Sequence, residues 1–339
     1  MKAVFVKEGG GVEVREVPVP RIQDGEILVR MRSCGIDGTD LEKAFGRPLT
    51  PPMLGHEVVG VVEESRSPDY VEGERVFVHH HVSCGKCYHC LNNSLTMCPL
   101  FLKSTIEPCG LAELFRVPRV NVERGAVLKI PDGLEWFEAV FIEPAACVLR
   151  ALRRSFFKPG QSVSMVGVGP TGCLFIEVLK KMGASSLVVA ELSSLRLDYA
   201  RMLGADLAVN PLETDFVKAC LDRTESRGVD LGVLATPAVK PLSMVVDSVR
   251  RGGVVCLFGA PEKGEKTMVD FSQLFIDEKS IITSYSTTEA ETTTILQLLS
   301  EARLSFRRTI THSFRLGEAD KAFETARDSS RSLKVVVTS

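Results

Sequence analysis

A chain of 339 residues is long enough to form two domains, each with its own core. Hydrophobic residues make up 45% of the chain and charged residues 25%, an ordinary balance for a globular protein, and the net charge is only −2. This composition offers no basic surface for nucleic acid and no apolar run long enough to cross a membrane, so neither partner is expected. The 10 cysteines, without an export signal, indicate a reducing compartment and predict a cytoplasmic protein.

The first 130 residues or so predict a mainly β region. Short β-branched runs alternate with Gly, Pro and Asp, which is typical of strands joined by turns. The predicted strands are Ala3–Val6, Val12–Val17, Ile27–Met31 and Val58–Val62. The Thr50-Pro51-Pro52 step predicts a loop between them.

Two polar motifs accompany these strands. Gly55-His56-Glu57 precedes the run Val58–Val62, so an imidazole at the head of a strand could meet a metal, with a carboxylate beside it. Alone, a His-Glu pair is more often structural. The segments Gly35-Ile36-Asp37-Gly38-Thr39-Asp40 and Ile142-Glu143-Pro144 are further candidates for the same site.

Four cysteines form the strongest metal signal of the chain. Two overlapping C-x-x-C steps and a fourth cysteine shortly afterwards can supply four thiolates to one ion, which closes a tetrahedral zinc site with no open position. Unrelated surface thiols or a redox pair are the alternatives. The predicted ligands are Cys84, Cys87, Cys90 and Cys98.

A βαβ unit follows between Ser162 and Glu191. The apolar run Val163–Val166 predicts a buried strand, and a glycine-rich turn leads from it into a helix. The glycines permit a tight turn, close approach of a pyrophosphate and close packing of the helix on the strand. Glu191 ends the second strand, where a carboxylate can accept hydrogen bonds from ribose hydroxyls. The predicted dinucleotide-binding residues are Gly167, Gly169, Pro170, Thr171, Gly172 and Glu191.

Strands and helices alternate from about 161 to 258, which predicts a parallel sheet covered by helices. The expected strands after the βαβ unit are Leu207–Val209, Leu231–Leu234 and Val254–Phe258, and the expected helices are Ser194–Leu203 and Phe216–Leu221. The last part of the chain predicts helices at Glu289–Ser300 and Gly317–Arg327 and a strand at Lys334–Val337.

Taken together and in this order, the motifs resemble the zinc-containing medium-chain alcohol/polyol dehydrogenase family over nearly the whole chain. The Glu-Pro step at Glu143 is similar to the sorbitol branch and to its threonine and sugar dehydrogenase neighbours. The resemblance implies an α/β fold, with a Rossmann-type doubly wound parallel sheet domain and a mainly β, GroES-like catalytic domain. The implied limits are 1–146 for the catalytic zinc domain with its lobe at 84–98, 147–286 for the dinucleotide domain, and 287–339 for a segment that returns to the catalytic domain.

The resemblance also implies a catalytic zinc held by Asp37, His56 and Glu143. Glu57 would be a neighbouring or exchanging ligand, and Thr39 would relay the substrate proton. Most members of the family carry Cys at the position of Asp37, whereas archaeal glucose dehydrogenases that resemble this chain carry Asp. A site without a thiolate should hold zinc less tightly.

Two alternatives for this region stay open. Cys34 lies three residues before Asp37 and could be the ligand instead, although the register of the motif favours Asp37. His79-His80-His81 most simply marks a strand end, but in threonine-dehydrogenase-like members a histidine at the position of His81 borders the substrate pocket.

The resulting expectation is an NAD-dependent enzyme with two zinc ions per chain, one catalytic and one structural, that oxidises a secondary alcohol, polyol or sugar. A threonine-type amino-alcohol dehydrogenase and a non-catalytic dinucleotide-binding protein are the rivals. NAD should be preferred to NADP because Glu191 would repel a 2′-phosphate and no basic residue directly follows it. A homodimer or homotetramer is expected through a strand at Ile281–Ser286.

Overall fold

The computed structural model of the chain describes residues 1–47 and 53–339, and the loop predicted at Thr50-Pro51-Pro52 lies outside them. The chain divides into two compact units. The first comprises Met1–Ala146, Ser286–Asp328 and Lys334–Ser339, and the second comprises Cys147–Tyr285 and Ser329–Leu333. The limits of the functional domains that are expected above stay a prediction. No helix in the described residues is both long and apolar enough to cross a membrane.

The first unit is built mainly of strands. Its strands are β1 (Lys2–Val6), β2 (Val12–Glu16), β3 (Ile27–Gly35), β4 (Glu57–Ser65), β5 (Arg75–Val78), β6 (Leu114–Val117) and β7 (Val127–Lys129). Its helices are α1 (Gly38–Phe45), α2 (Tyr88–Leu91), α3 (Arg119–Glu123) and α4 (Trp136–Ala139), and α5 (Ile142–Arg154) begins in this unit and continues into the second.

The second unit alternates strands and helices. Its strands are β8 (Ser162–Val166), β9 (Ser186–Ala190), β10 (Leu207–Val209), β11 (Val229–Leu234), β12 (Val249–Leu257) and β13 (Ser280–Thr283). Its helices are α6 (Pro170–Lys181), α7 (Ser194–Leu203), α8 (Phe216–Asp222), α9 (Leu242–Ser248) and α10 (Phe271–Ile276).

The chain then returns to the first unit. The remaining elements are α11 (Glu289–Ser300), β14 (Ile310–Arg315), α12 (Ala319–Arg327) and β15 (Lys334–Thr338). β15 pairs antiparallel with β3, and Val336 lies opposite Gly35. The main sheet of this unit therefore runs in the order β14-β15-β3-β4-β5-β7 among the described strands, and β6 pairs with β3 beside it. Apolar side chains from these strands, such as Ile27, Val58 and Phe115, form its core.

The described strands of the second unit form one parallel sheet in the order β10-β9-β8-β11-β12-β13. The chain starts in the middle at β8, moves outward to β10, and then returns to the other side of β8 with β11. In such sheets a ligand binds beyond the carboxyl ends of the strands, where the order reverses, and the glycine-rich turn follows β8 at that point. The predicted fold class is confirmed.

The helix predicted at Ser194–Leu203 is confirmed, because its end signals are local. Ser193 caps its start, and Gly204 ends it with a φ of 102°. Most strand limits differ from the prediction by one or two residues, β3 and β4 run further, to Gly35 and Ser65, and two differences have a visible cause. β12 begins at Val249 rather than Val254, because Gly252 and Gly253 lie inside the strand at an irregularity in its pairing with β11. β13 ends at Thr283, and Ser286 adopts a left-handed φ of 59° that no strand can continue through.

Candidate functional site

The four predicted lobe cysteines lie together in the first unit, with Cys98 buried and the other three partly buried. Their sulfur atoms all lie within 4.8 Å of one another. Cys87 Sγ is 3.5 Å from Cys90 Sγ, and Cys84 Sγ is 3.9 Å from Cys90 Sγ. Two sulfurs bound tetrahedrally to one zinc ion at about 2.3 Å lie roughly 3.8 Å apart, so this arrangement fits a closed zinc site.

The local backbone explains why the sulfurs converge. Gly85 turns the chain with a left-handed φ of 73°, Cys87 caps the short helix α2, and the backbone N–H of Cys84 donates to Cys98 Sγ at 3.4 Å. Backbone N–H groups, first that of Lys86, lower the pKa of the Cys84 thiol to about 6. This thiol therefore ionises readily, and the thiolate is the form that binds a metal.

A second cluster surrounds His56, just before β4. Its ring Nε2 lies 3.4 Å from Asp37 Oδ2 and 3.9 Å from Glu143 Oε2. Ligand atoms of His56, Glu57 and Glu143 all lie within 4.8 Å of one another, and these three side chains are buried. The structure thus brings together, within the first unit, the four side chains that the sequence assigned to the catalytic metal.

Asp37 and Asp40 shape this cluster through the start of helix α1. Asp37 caps the helix and accepts hydrogen bonds from the Thr39 backbone N–H at 3.2 Å and the Thr39 hydroxyl at 2.9 Å. The backbone N–H of Asp37 in turn donates to Asp40 at 3.1 Å, which completes a reciprocal cap. The carboxylate of Asp37 is therefore fixed by the fold before any metal binds.

Asp40 belongs to the same cluster, although the sequence reasoning gave it no role there. It is fully buried, accepts a hydrogen bond from the Gly55 backbone N–H at 3.0 Å, and lies 3.8 Å from His56 Nδ1. A carboxylate behind a metal-binding histidine fixes the ring orientation and leaves the other nitrogen to the metal. The available signal was the acidic residue three positions after a helix-capping Asp.

Glu57 is paired with a buried lysine. Its Oε2 forms an ion pair with Lys334 Nζ, while its Oε1 accepts no hydrogen bond from the residues that the structure describes. Burial raises the pKa of Glu57 to about 7, although Lys334 opposes the shift. Burial also acts to raise the pKa of Asp37, but the hydrogen bond and the charge of His56 outweigh burial, so the pKa of Asp37 lies below its ordinary value.

This donor set fits zinc. Zinc accepts a histidine nitrogen and carboxylate oxygens as ligands, and the buried Oε1 of Glu57 has no hydrogen bond among the described residues. Three protein ligands would leave the fourth position of a tetrahedral zinc ion open. Cys34 is buried, and its sulfur belongs to neither cluster in the described part of the chain. His81 Nδ1 contacts the Ser104 carbonyl oxygen at 2.9 Å, and its ring lies against that of His80, which itself lies near His56.

The glycine turn of the second unit follows β8 as predicted. Gly167 has a left-handed φ of 100°. A methyl group at Gly172 would lie 2.3 Å from the Gly167 carbonyl oxygen, so no larger residue fits there. Gly169 caps helix α6, and Pro170 and Thr171 begin it. The unpaired N–H groups of this helix end suit a pyrophosphate.

Glu191 lies at this turn, but backbone N–H groups already occupy most of the hydrogen-bond acceptor sites of its carboxylate. Its Oε2 accepts the N–H of Val168 at 2.8 Å, and its Oε1 accepts those of Leu192 and Ser193 at 2.7 and 3.0 Å. A carboxylate has about four acceptor sites, which leaves about one for a ribose hydroxyl.

Arg196, in the first turn of helix α7, also reaches the turn. Its Nη1 lies 3.7 Å from the position that a methyl group at Gly169 would take, and its buried Nε has no partner among the described residues. The signal was its place in the first turn of α7, the helix that follows the strand ended by Glu191.

Two family models match the chain. Residues 23–132 match the alcohol dehydrogenase GroES-like domain, and residues 170–301 match the zinc-binding dehydrogenase domain. An L-threonine 3-dehydrogenase from Pyrococcus horikoshii is 33% identical over 95% of this chain and 93% of its own length. A sorbitol dehydrogenase from Bacillus subtilis is 28% identical over 96% and 93%. A solved structure described as a zinc-binding dehydrogenase from Sinorhizobium meliloti, bound to NADP, is 26% identical, with a TM-score of 0.89 over 100% of this chain and 99% of that one.

We predict that Asp37→Ala removes the metal at His56 and leaves the metal at the cysteine lobe. The substitution deletes a fixed carboxylate 3.4 Å from His56 Nε2 and touches none of the sulfurs. Metal analysis of the purified protein should fall from about two zinc ions per chain to about one. Asp37→Cys should keep both ions, because it restores a common zinc ligand.

Cys34→Ser is the matched control for this prediction, since it alters a nearby buried thiol that belongs to neither cluster. It should retain both metals. If Cys34→Ser lost one zinc ion and Asp37→Ala lost none, the ligand assignment would be wrong.

We also predict that Glu191 and Arg196 set the choice of dinucleotide. Glu191→Ala should lower the ratio of kcat/KM for NAD to that for NADP by about tenfold or more, because it removes a like charge that a 2′-phosphate would meet while Arg196 remains. Asp198→Ala changes an exposed acid on the same helix α7 and should leave the ratio unchanged. An unchanged ratio in Glu191→Ala would contradict the assignment.

Proposed function

The chain belongs to the zinc-containing medium-chain alcohol/polyol dehydrogenase family, and on this premise we propose that it oxidises a secondary alcohol with NAD, the substrate being a polyol or a sugar. Zinc and a dinucleotide are its cofactors. The observation that carries the proposal is the convergence of Asp37, His56 and Glu143 in one cluster, at distances that one metal ion could bridge. The preference for NAD rests on Glu191.

Asp37, His56 and Glu143 would hold the catalytic zinc, and Asp40 would orient His56. When bound there, zinc supplies a Lewis acid that lowers the pKa of an alcohol toward neutrality. The reaction moves a hydride from the alcohol carbon to the nicotinamide ring and a proton to solvent.

Thr39 is the group that we assign to receive this proton. Its O–H donates to Asp37 Oδ2 at 2.9 Å, so the proton of the hydroxyl is committed while the lone pairs of its oxygen are free to accept. The substrate O–H can then donate to Thr39. To complete the relay, the Thr39 hydroxyl would turn from Asp37 and give up its own proton toward solvent as it accepts the proton of the substrate, so that Thr39 stays neutral.

A threonine-type activity is the second candidate. Two observations favour it: the 33% identity to a threonine 3-dehydrogenase, and the orientation of His81. Contact of Nδ1 with the Ser104 carbonyl makes Nδ1 the donor in the neutral ring, and burial lowers the pKa of His81 to about 4. The other nitrogen, Nε2, is then an acceptor, which suits the ammonium group of an amino alcohol.

The redox state of the cysteines is an argument about the compartment in which the protein works. A tetrathiolate metal site needs reduced thiols, and the described cysteines form no disulfide. We therefore propose a reducing compartment, the cytoplasm.

We also propose that the chain forms a homodimer, or a tetramer built from such dimers, through β13. This strand ends the parallel sheet, and no other described strand pairs with its outer edge. Apolar side chains that precede β13 in the chain are largely in solvent: Met268 is 90% exposed, Phe271 79%, and Phe275 84%. An open strand edge and exposed apolar side chains of this kind suit a surface that a second copy covers.

The activity is tested with NAD and a panel of D-sorbitol and other polyols, aldose sugars and L-threonine, read as NADH absorbance. We expect kcat/KM for a polyol or sugar to exceed that for L-threonine by about tenfold or more, since a site built for one substrate leaves buried polar groups unpaired with another. Preference for L-threonine would establish the second candidate. Absence of turnover with every compound, in protein that carries both zinc ions, would overturn the proposal.

The assembly is tested by mass in solution. The wild-type chain should show at least twice the mass of 37.1 kDa, and Phe271→Asp combined with Phe275→Asp should shift it toward the monomer. Leu212→Asp is the matched control, because Leu212 is 83% exposed in the same unit but lies outside this edge. A monomeric wild-type chain at micromolar concentration would contradict the proposed assembly.

A further inference from the structure

Three consecutive histidines follow strand β5 and extend to the candidate metal cluster. His79 and His80 are buried, and His81 is partly buried. The centroid of the His80 ring lies 5.3 Å from that of His56 and 3.8 Å from that of His81. The pair His80 and His81 therefore stands directly beside the histidine that is proposed to bind the metal.

The surroundings hold both rings of this pair in place. The buried amide of Asn121 donates from Nδ2 to the His80 carbonyl oxygen at 2.9 Å. The ring of His79 packs edge-on against that of His80, with 5.3 Å between centroids, and the ring of Phe101 lies 4.7 Å from that of His81. Closely packed side chains keep one conformation, so the ring nitrogens of the pair have defined positions.

In each ring of the pair, Nδ1 is turned into the protein. His81 Nδ1 contacts the Ser104 carbonyl oxygen at 2.9 Å, and His80 Nδ1 is enclosed without a partner among the described residues. The Nε2 atoms of the two rings are not enclosed in this way. A ligand of the site can therefore reach both Nε2 atoms.

The two Nε2 atoms have opposite hydrogen-bonding roles. Neither ring forms an ion pair in the described part of the chain, so burial favours the neutral imidazole, which donates from one nitrogen and accepts at the other. His81 donates from Nδ1 to Ser104, and its Nε2 is then an acceptor. A proton on His80 Nδ1 would be a buried donor without an acceptor, so the proton belongs on Nε2, which becomes a donor.

A donor and an acceptor side by side match a hydroxyl group, which accepts one hydrogen bond and donates another. An ammonium group offers donors only, so it suits His81 but leaves the N–H of His80 without an acceptor. A plain C–H group leaves both nitrogens unpaired. His80 is therefore the residue of the pair that separates a hydroxyl group from an ammonium group.

We propose that His80 and His81 determine the substrate class by binding a hydroxyl group on the carbon next to the one that is oxidised. His80 Nε2–H donates to the oxygen of this hydroxyl, and His81 Nε2 accepts a hydrogen bond from it. The substrate then carries a vicinal diol unit, and an amino alcohol is disfavoured. The inference rests on the proposed function in one respect, the oxidation of an alcohol beside His56.

The test in the wild-type chain uses butane-2,3-diol, 3-aminobutan-2-ol and butan-2-ol, with the same configuration at the carbon that is oxidised. They differ only in the group on the neighbouring carbon. With NAD, kcat/KM for the diol should exceed each of the other values by about tenfold or more, because either replacement leaves a ring nitrogen unpaired. Dissociation constants of the three compounds for the zinc-loaded protein with NADH, measured by calorimetry, should follow the same order.

Variants of His80 separate its hydrogen bond from its packing. His80→Phe keeps an aromatic ring and removes the donor, so kcat/KM for the diol should fall by about tenfold or more while that for butan-2-ol changes by less than about threefold. The preference for the diol over the amino alcohol should fall as well, because the acceptor on His81 remains. His80→Gln retains an N–H donor and should keep the preference of the wild type to within about threefold.

Two further variants complete the set. His80→Leu removes the donor with a smaller side chain, and it should give the same loss of preference if His80→Phe does not fold. His312→Phe is the matched control, because His312 lies on β14 of the same unit, contacts the Thr311 hydroxyl at 3.0 Å and stacks on Phe314. It should leave the order and the ratios of the three compounds unchanged.

Equal kcat/KM for the diol and butan-2-ol in the wild-type chain, or a higher value for the amino alcohol, would overturn the inference. An equal loss for all three compounds in His80→Phe would also overturn it, since the ring would then be purely structural. If the zinc-loaded chain oxidised none of the compounds, the proposed function would fail and the dissociation constants would decide. Tighter binding of the diol by about tenfold would support the hydroxyl site, and equal binding of the diol and butan-2-ol would contradict it.

Discussion

Four carboxylates crowd around one imidazole in the β-rich unit, and the need to balance their charge constrains the structure around them. Asp40, Glu57 and Glu143 are buried, and Asp37 is only partly exposed. Each buried ion loses several kcal/mol of hydration, so the cluster is tolerable only with positive partners and fixed donors. Lys334 supplies one charge from within the fold, and a divalent cation among Asp37, His56 and Glu143 would supply the rest.

The fold provides the fixed donors with short backbone devices. The cap of α1 commits the N–H and hydroxyl of Thr39 to Asp37, and the Gly55 N–H is committed to Asp40. These bonds anchor the acids to the backbone of α1 and of the segment before β4. The cysteine lobe follows the same logic, since a left-handed glycine and backbone donors gather its sulfurs.

The second unit solves a different electrostatic problem at its glycine turn. Glu191 is tied to three backbone N–H groups, and so a negative charge stands where the second strand ends. Arg196 stands close to the same turn with its Nε unpaired among the described residues. The negative charge of Glu191 disfavours a ribose that carries a 2′-phosphate, and the positive charge of Arg196 favours one. The choice between the two forms of the dinucleotide therefore depends on the balance of these two charges.

The sequence predicted the features that arise from neighbouring residues. The cysteine spacing, the βαβ unit and helix α7 all follow from local patterns, and the structure has them. Lys334 could not be found in this way, because it meets Glu57 only through the pairing of β15 with β3 and of β3 with β4. Periodicity does not specify which distant strands become neighbours. The spacing of Asp40 from Asp37 is a capping signal that the sequence does show. That signal predicts the start of a helix, but it does not predict that Asp40 lies close to His56.

Anomalous diffraction at the zinc absorption edge tests the central claim most directly, because it locates metal without reference to any substrate. The account predicts two peaks per chain. One should lie among the sulfurs of Cys84, Cys87, Cys90 and Cys98, and the other about 2.0–2.2 Å from His56 Nε2 and from carboxylate oxygens of Asp37 and Glu143. A single peak in the cysteine lobe, or a second peak bound to Cys34 in place of Asp37, would contradict it.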